Sequence, residues 1–168
     1  MKERIDLQAF HHQHGIRVRS FHVDRQNVVH NLQYFYFFEE ARVEYVRSMG
    51  IIPIDRDTFT THDKYFVARN TCDYIEPVYF DEILLIHTRI SYVGTSSIKF
   101  EHIAVKQTGA VAARGEHVLV HVDAERDVPS AVPEEMRAKI RSIEGSGVMF
   151  GKSEGRPNDA GPTISQTE

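Results

Sequence analysis

The sequence predicts an α+β fold in which an antiparallel sheet wraps around one long central helix. A helical stretch carries consecutive aromatic residues at positions 34–38, and a helix with bulky rings on every side has to be buried. Downstream, long β-rich segments are joined by short turns between residues 64 and 123, which is typical of antiparallel pairing. Because a sheet covers a single helix only if it curls, these observations together favour the wrapped arrangement.

The central helix is expected to begin near Asn31 and to end at Gly50, which precedes Pro53 as in a C-terminal cap followed by a stop. Its second half is amphipathic. The spacing predicts ion pairs three residues apart, between Glu39 and Arg42 and between Glu44 and Arg47.

The strands follow from apolar residues that recur at every second position. In the last predicted strand these are Val118, Val120 and Val122. A loop is expected over 51–63 and a short second helix over 133–143, which starts with a proline and acids and ends with bases. The predicted strands cover residues 16–23, 64–74, 82–93, 98–107 and 111–123.

The chain of 168 residues is expected to form a single domain over 1–143, with a polar lead segment at 1–15 and a flexible tail at 144–168. A net charge of -4 with mixed signs gives no basic surface for nucleic acid. The single cysteine excludes an intramolecular disulfide and suits the cytoplasm. No stretch approaches the ~20 apolar residues of a membrane span, and no secretory signal fits the start, so we expect a cytoplasmic protein.

Several short segments with recognisable residue patterns follow one another along the chain. The first comprises Asp24, Val28, Val29, Asn31, Tyr34, Glu39, Ala41 and Arg42. The others are Tyr74-Ile75-Glu76-Pro77, Phe80-Asp81-Glu82 and Gly94-Thr95-Ser96-Ser97-Ile98 with Phe100. In this order the segments resemble the hotdog-fold acyl-CoA thioesterases, and most closely their 4-hydroxybenzoyl-CoA thioesterase-like branch. The resemblance implies a hotdog fold and hydrolysis of acyl-CoA to a carboxylic acid and free CoA. It also implies that no cofactor or metal is needed, and that the protein is a homodimer or homotetramer.

Asp24 is the leading candidate for a catalytic residue. Its position before a helix favours a turn or capping carboxylate. The resemblance instead implies a catalytic carboxylate, which acts either as a nucleophile on the thioester carbon or as a general base for water. The sequence is compatible with both catalytic roles.

The resemblance places the oxyanion donor seven residues after the acid, at the backbone N–H of Asn31. A helix N-terminus supplies such donors without any special side chain. Some relatives carry histidine here, whereas this chain has His30 one residue earlier. Asn27 stands where relatives usually have glycine, which predicts a positive φ.

His30 and Tyr34 are candidate substrate-binding residues, with plain core packing as an equal alternative for Tyr34. The turn Gly94, Thr95, Ser96 and Ser97 is either a simple turn or, as the resemblance implies, a contact for the pantetheine and nucleotide of CoA. The aromatic half of the helix is expected to form an apolar pocket for a medium-chain or aromatic acyl group.

Other reactive side chains receive structural interpretations. Glu39 and Glu40 are interpreted as structural acids, with a catalytic glutamate, as in a second branch of the superfamily, as the less favoured alternative. Cys72 is interpreted as a small packed side chain. No function is assigned to His62, His87, His102, His117 or His121. The alternative functions are an acyl-carrier-protein thioesterase, a non-catalytic acyl-CoA-binding or scaffold protein and, least favoured, a dehydratase, whose histidine motif is not evident.

Overall fold

A computed structural model describes residues 6–50, 63–123 and 125–151. Residues 51–62 of the loop predicted over 51–63, which include His62, lie outside these residues, and residue 63 already belongs to a strand. Five strands form a sheet in the order β1-β3-β4-β5-β2 with antiparallel neighbours, and two short strands extend it, β6 beside β5 and β7 beside β3. In chain order the elements are β1 (His12–Arg17), α1 (Gln33–Ser48), β2 (Asp63–Tyr74), β3 (Ile83–Val93), β4 (Ser97–Lys106), β5 (Val111–Asp123), β6 (Val128–Pro129), α2 (Glu134–Glu144) and β7 (Met149–Phe150).

The sheet curls around α1, so the predicted α+β arrangement is confirmed. The first half of α1 packs on the inner face of the sheet, where Phe37 and Phe38 meet Leu84 and Ile86 of β3 in one core cluster. A second cluster joins Tyr45 near the end of α1 to Ile140 of α2. The two helices therefore share one continuous face of the sheet.

The aromatic run of α1 is less completely covered than the sequence predicts. Tyr34, Phe37 and Phe38 are buried, but the Tyr36 side chain is 65% exposed. A helix lying in a curled sheet contacts it over only part of its circumference, because positions 34, 37 and 38 share one face and position 36 points the other way. The prediction that rings on every side of the helix are buried is therefore wrong.

The first strand begins and ends earlier than predicted. β1 pairs with β3 from His12 opposite Thr88 to Arg17 opposite Ile83. The chain then leaves the sheet and forms a 3-10 turn at Ser20–His22. The described part of the lead segment packs on the sheet, since Phe10 is buried against Ile103 on its outer face.

The four other strands match their predicted bounds within one residue, but the face of β5 that packs on the core was not evident from its valines. Val118 and Val120 are only half-buried, although Val122 is buried, whereas His117 and Leu119 on the opposite face are buried. Alternation of residue types divides a strand into two faces, but it does not show which face packs on the helix.

The packed chain continues past residue 143, where the sequence placed the start of the tail. Glu144 is buried and accepts hydrogen bonds from the Tyr45 hydroxyl and, at 2.5 Å, from the Ile90 N–H. Val148 is buried, and β7 then pairs in parallel with the end of β3. Residues 152–168 of the predicted tail lie outside the described residues. Within the described chain, neither helix has the length and apolar character needed to cross a membrane.

Candidate active site

The segment around Asp24 folds back on itself as a tight hairpin. Val23 pairs with Val29, the Asp24 N–H donates to the Val28 carbonyl at 2.9 Å, and the His30 N–H donates to the His22 carbonyl at 2.9 Å. Asn27 lies in the turn with a φ of 62°, as its position predicts. Asparagine tolerates this left-handed conformation better than most residues.

Only one oxygen of the Asp24 carboxylate accepts a hydrogen bond within the turn. Its Oδ1 accepts a hydrogen bond from the Gln26 N–H at 2.7 Å, which is the local contact typical of aspartate in turns. Its Oδ2 has no hydrogen-bond partner among the described residues, and the side chain is half-exposed. One oxygen is thus fixed by the backbone while the other remains open for chemistry.

A second turn supports this hairpin. Val28 pairs with Tyr79, and the Val29 N–H donates to the Val78 carbonyl at 2.8 Å. The Tyr79 N–H in turn donates to a Glu82 carboxylate oxygen at 2.8 Å. Because Glu82 immediately precedes β3, these contacts anchor the Asp24 hairpin to the sheet.

Asn31 lies in the turn before α1, two residues ahead of the position where the helix begins. Its side chain is exposed, and its backbone N–H donates to no acceptor among the described residues. The Leu32 N–H donates to Nδ1 of His30 at 3.2 Å, and the Gln33 N–H donates to the His30 carbonyl at 2.9 Å. His30 therefore stabilises the turn through Nδ1 and carries its proton on Nε2 when neutral.

Tyr74 reaches this turn from the end of β2. Its hydroxyl donates to the Asn31 carbonyl at 3.1 Å, and its ring lies 5.4 Å from the ring of Tyr34. The sequence gives no functional signal for Tyr74 beyond its place in the Tyr74-Ile75-Glu76-Pro77 segment. Tyr34 is 3% exposed and belongs to the core, and burial raises the pKa of its hydroxyl well above the usual value.

Apolar side chains are exposed around the hairpin and the start of α1. Phe37 and Phe38 are buried in the core, so they do not form an open acyl pocket in the described chain as the sequence suggested. The exposed side chains are instead Phe21, Leu32, Tyr36, Tyr79 and Phe80. Leu32 and Tyr36 lie four residues apart and share the outward face of α1 next to Asn31.

The turn of Gly94, Thr95, Ser96 and Ser97 lies at the opposite end of the sheet from Asp24. It follows β3, whereas the Asp24 hairpin is anchored before β3, and an 11-residue strand is roughly 30 Å long. The Val132 N–H donates to the Thr95 carbonyl at 2.8 Å, which ties the turn to the start of α2. Within one chain, the structure does not bring this turn together with Asp24 and Asn31.

The remaining acids and the cysteine have structural environments. Oε1 of Glu39 lies 3.6 Å from a guanidinium nitrogen of Arg42, as predicted. Oε1 of Glu40 lies 2.9 Å from Nε2 of His14 on β1. Burial raises the pKa of the half-buried Cys72 thiol to about 11, so it is protonated at neutral pH and unsuited to nucleophilic attack. In the parts of the chain that the structure describes, no group of His, Cys, Asp and Glu side chains has the arrangement of a metal site.

Comparison with known proteins identifies the family. The profile of the thioesterase-like superfamily matches residues 18–140, so the chain belongs to this superfamily, and its fold is the hotdog fold that the sequence resemblance implies. The long-chain acyl-CoA thioesterase FadM of Escherichia coli (strain K12) is 28% identical over 133 residues, which cover 76% of this chain and 96% of FadM.

Two further relatives agree with this assignment. The acyl-CoA thioesterase YbgC of Haemophilus influenzae is 26% identical over 130 residues, covering 77% of this chain and 93% of YbgC. A thioesterase from Thermus thermophilus, solved in complex with coenzyme A and Zn, has 28% sequence identity and a TM-score of 0.70. That match covers 82% of this chain and 98% of the Thermus chain.

Proposed function

We propose that this protein hydrolyses acyl-CoA thioesters to a carboxylic acid and free CoA, with Asp24 as the catalytic carboxylate and the Asn31 N–H as the oxyanion donor. The observation that carries the proposal is that adjacent turns each present one polar group without a hydrogen-bond partner. Asp24 Oδ2 and the Asn31 N–H are both without partners among the described residues, while the atoms around them are held by hydrogen bonds. Relatives named as acyl-CoA thioesterases support the substrate class.

The chemistry requires attack on the thioester carbon and loss of the CoA thiolate. As a general base, Asp24 Oδ2 takes a proton from water as the water oxygen bonds to that carbon. As a nucleophile, it bonds to the carbon itself, and water later cleaves the resulting anhydride. In both routes the Asn31 N–H donates to the oxyanion, the C–S bond breaks, and the sulfur leaves as a thiolate that then takes up a proton.

The acyl group in this proposal lies against the exposed apolar side chains next to Asn31. Leu32 is 55% exposed and Tyr36 is 65% exposed, and both face outward from the start of α1. Burial of such side chains by an apolar acyl chain is favourable by about 25 cal/mol per Å² of apolar surface. This surface favours a medium-chain or aromatic acyl group over a short polar one.

The decisive experiment is the substitution Asp24→Asn. The amide oxygen still accepts the Gln26 N–H, so we expect the unfolding midpoint to remain unchanged, whereas kcat should fall at least ~10²-fold because an amide is neither base nor nucleophile. Release of free CoA from a panel of acyl-CoA thioesters gives kcat, and thermal unfolding is measured on the same samples.

Asp123→Asn is the matched control. Asp123 Oδ1 accepts backbone N–H groups from Glu125 and Arg126 at 2.9 and 3.0 Å, at the opposite end of the sheet. We expect this variant to retain wild-type kcat. Turnover by Asp24→Asn within a few-fold of wild type would contradict the assignment, and a parallel loss of kcat and folding would reduce Asp24 to a structural role.

A further inference from the structure

The backbone of Tyr74 is hydrogen-bonded on the sheet at the point where β2 ends. It pairs with Ala113 of β5, and the next two N–H groups, of Ile75 and Glu76, both donate to the Ala112 carbonyl at 2.8 and 3.1 Å. Its ring lies edge-on to the buried Tyr34 ring at an interplanar angle of 66°. These contacts fix the backbone of Tyr74, while its side chain is 50% exposed and its hydroxyl lies within reach of the Cys72 side chain as well.

The Tyr74 hydroxyl donates to the carbonyl oxygen of Asn31, 3.1 Å away. The other hydrogen bonds of this turn are local, since the Leu32 and Gln33 N–H groups both donate to His30. Among the described residues, the Tyr74 hydroxyl makes the only hydrogen bond to Asn31 itself. It ties the residue that precedes α1 to the sheet.

The position of the Asn31 backbone matters because an oxyanion donor acts over a narrow range of distances. Donors must lie about 2.7–3.1 Å from the developing oxyanion, and a displacement of about 1 Å can reduce the rate by ~10²-fold. A residue held only by local turn contacts has no long-range constraint on the direction of its N–H.

We propose that Tyr74 is a positioning residue for thioester hydrolysis, which fixes the Asn31 backbone so that its N–H points at the oxyanion. This inference rests on the function proposed above. Tyr74 touches neither the reacting carbon nor the attacking group, so its effect is exerted through Asn31. It also adds an element to the active site, because β2 is the edge strand opposite β1 in the sheet order.

The hydroxyl remains a donor over the working pH range. Partial burial and the neighbouring Cys72 thiol raise the pKa of Tyr74 above its ordinary value. A hydrogen bond that depends on a protonated phenol is therefore kept at neutral and moderately alkaline pH.

The test is Tyr74→Phe, which keeps the ring against Tyr34 and removes only the hydroxyl. We expect kcat to fall about 5- to 10-fold with KM unchanged, because without the hydroxyl the Asn31 N–H is displaced from the oxyanion, which weakens transition-state stabilisation and leaves substrate binding unchanged. The unfolding midpoint should be unchanged. In ¹⁵N relaxation measurements the order parameter of the Asn31 amide should decrease.

Tyr65→Phe is the matched control on the same strand. The Tyr65 hydroxyl donates to the sulfur of Met136 on α2 at 3.0 Å, far from Asn31, so this variant should keep wild-type kcat and the Asn31 order parameter. Wild-type kcat in Tyr74→Phe would overturn the inference, and so would a loss of kcat that is matched by lower stability.

Wild-type protein and Asp24→Asn are assayed beside these variants to separate the two proposals. Active wild type with inactive Asp24→Asn supports the proposed function, and Tyr74→Phe then decides the positioning role alone. A wild type that releases no CoA from any acyl-CoA overturns both proposals. If Asp24→Asn stays active while Tyr74→Phe loses kcat, the carboxylate assignment fails and the positioning role stands.

Discussion

At the scale of single residues, the Asp24 hairpin depends on one left-handed backbone position. Asn27 has a φ of 62°, and its N–H donates to the Asp24 carbonyl at 3.0 Å. We expect Asn27→Gly to keep full stability and activity, since glycine adopts this conformation freely. Asn27→Val should destabilise the protein by about 1–3 kcal/mol, because a β-branched side chain is strained there.

Urea unfolding measures the stability of both variants, and CoA release measures their activity. Gln13→Val is a suitable control, because Gln13 is an exposed residue of β1, where a β-branched side chain suits the strand. An Asn27→Val variant as stable and active as wild type would show that the turn accepts an ordinary residue at this position.

The sequence predicts some features of the site and misses others for a physical reason. The positive φ of Asn27 is predictable, because the residue types suited to left-handed backbone are few. The hydrogen bond from Tyr74 to the Asn31 carbonyl spans 43 residues of sequence and depends on how the sheet curls. No local pattern reports such a contact.

At the scale of secondary-structure elements, the packing of α1 on β4 and β5 encloses a pair of buried histidines. The rings of His102 and His117 lie 4.7 Å apart, and Phe38 stacks on His102 at 5.0 Å. Thr88 of β3 is hydrogen-bonded to Nδ1 of His102 at 3.0 Å, whereas both ring nitrogens of His117 lack partners among the described residues.

This arrangement favours the neutral histidines. Burial lowers the pKa of His117 from 6.5 to about 4, and the guanidinium of Arg42 contributes to this shift. Burial also lowers the pKa of His102 well below its usual value, with His117 and Arg42 adding to the effect. The charged groups that face the pair come from α1, where Arg42 is itself paired with Glu39.

We therefore expect the protein to lose stability in acid through this pair. The unfolded chain binds a proton at each histidine near pH 6.5, while the folded chain resists protonation, so the stabilisation is complete above pH 6.5 and is lost as the pH falls toward 4. His117 alone accounts for roughly 2–3 kcal/mol between pH 7 and pH 4.

Unfolding free energies at several pH values between 4 and 7 test this expectation. His117→Leu removes one titrating group and should flatten the profile, at little cost at pH 7, because the replaced nitrogens have no partners to lose among the described residues. A variant whose stability falls with acid as steeply as that of wild type would assign the acid sensitivity to other groups.

The bounds of the strands are mostly predictable from the sequence, whereas the side chains that pack in the core are not. Strands β2 to β5 lie within one residue of their predicted bounds because alternation of apolar residues indicates a half-buried strand directly. His102 and His117 are polar positions in the sequence pattern, and only the fold shows that rings from α1 and β4 surround them. β1 is displaced because the alternation at 16–23 continues past the point where the chain leaves the sheet.

At the scale of the whole molecule, β2 is an open edge of the sheet. It pairs with β5 on one side and with no other strand among the described residues. On this strand the side chains of Phe66 and Val67 are 54% and 49% exposed. An exposed apolar edge strand is a site for pairing with a second copy. We therefore expect a homodimer in which two β2 strands run antiparallel.

Such a dimer would also complete the substrate site. Tyr74, at one end of β2, lies beside Asn31, whereas Asp63 at the other end lies toward the Gly94 to Ser97 turn. Antiparallel pairing brings opposite ends of the two strands together. The turn of the partner is then at the same end as Asp24 of the first chain, where it can contact the nucleotide end of CoA.

The substitution Val67→Lys tests the interface, because a charge at the centre of the edge disfavours strand pairing. Sedimentation should show a dimer for wild type and a monomer for Val67→Lys, with the KM for acyl-CoA raised if the partner's turn binds CoA. Met149→Lys replaces an apolar side chain on β7 that is 66% exposed with the same charge, and this variant should remain dimeric.

A wild type that sediments as a monomer at micromolar concentration would refute the dimer. A dimeric Val67→Lys would place the contact on another surface, and an active monomer with unchanged KM would show that one chain holds the whole site.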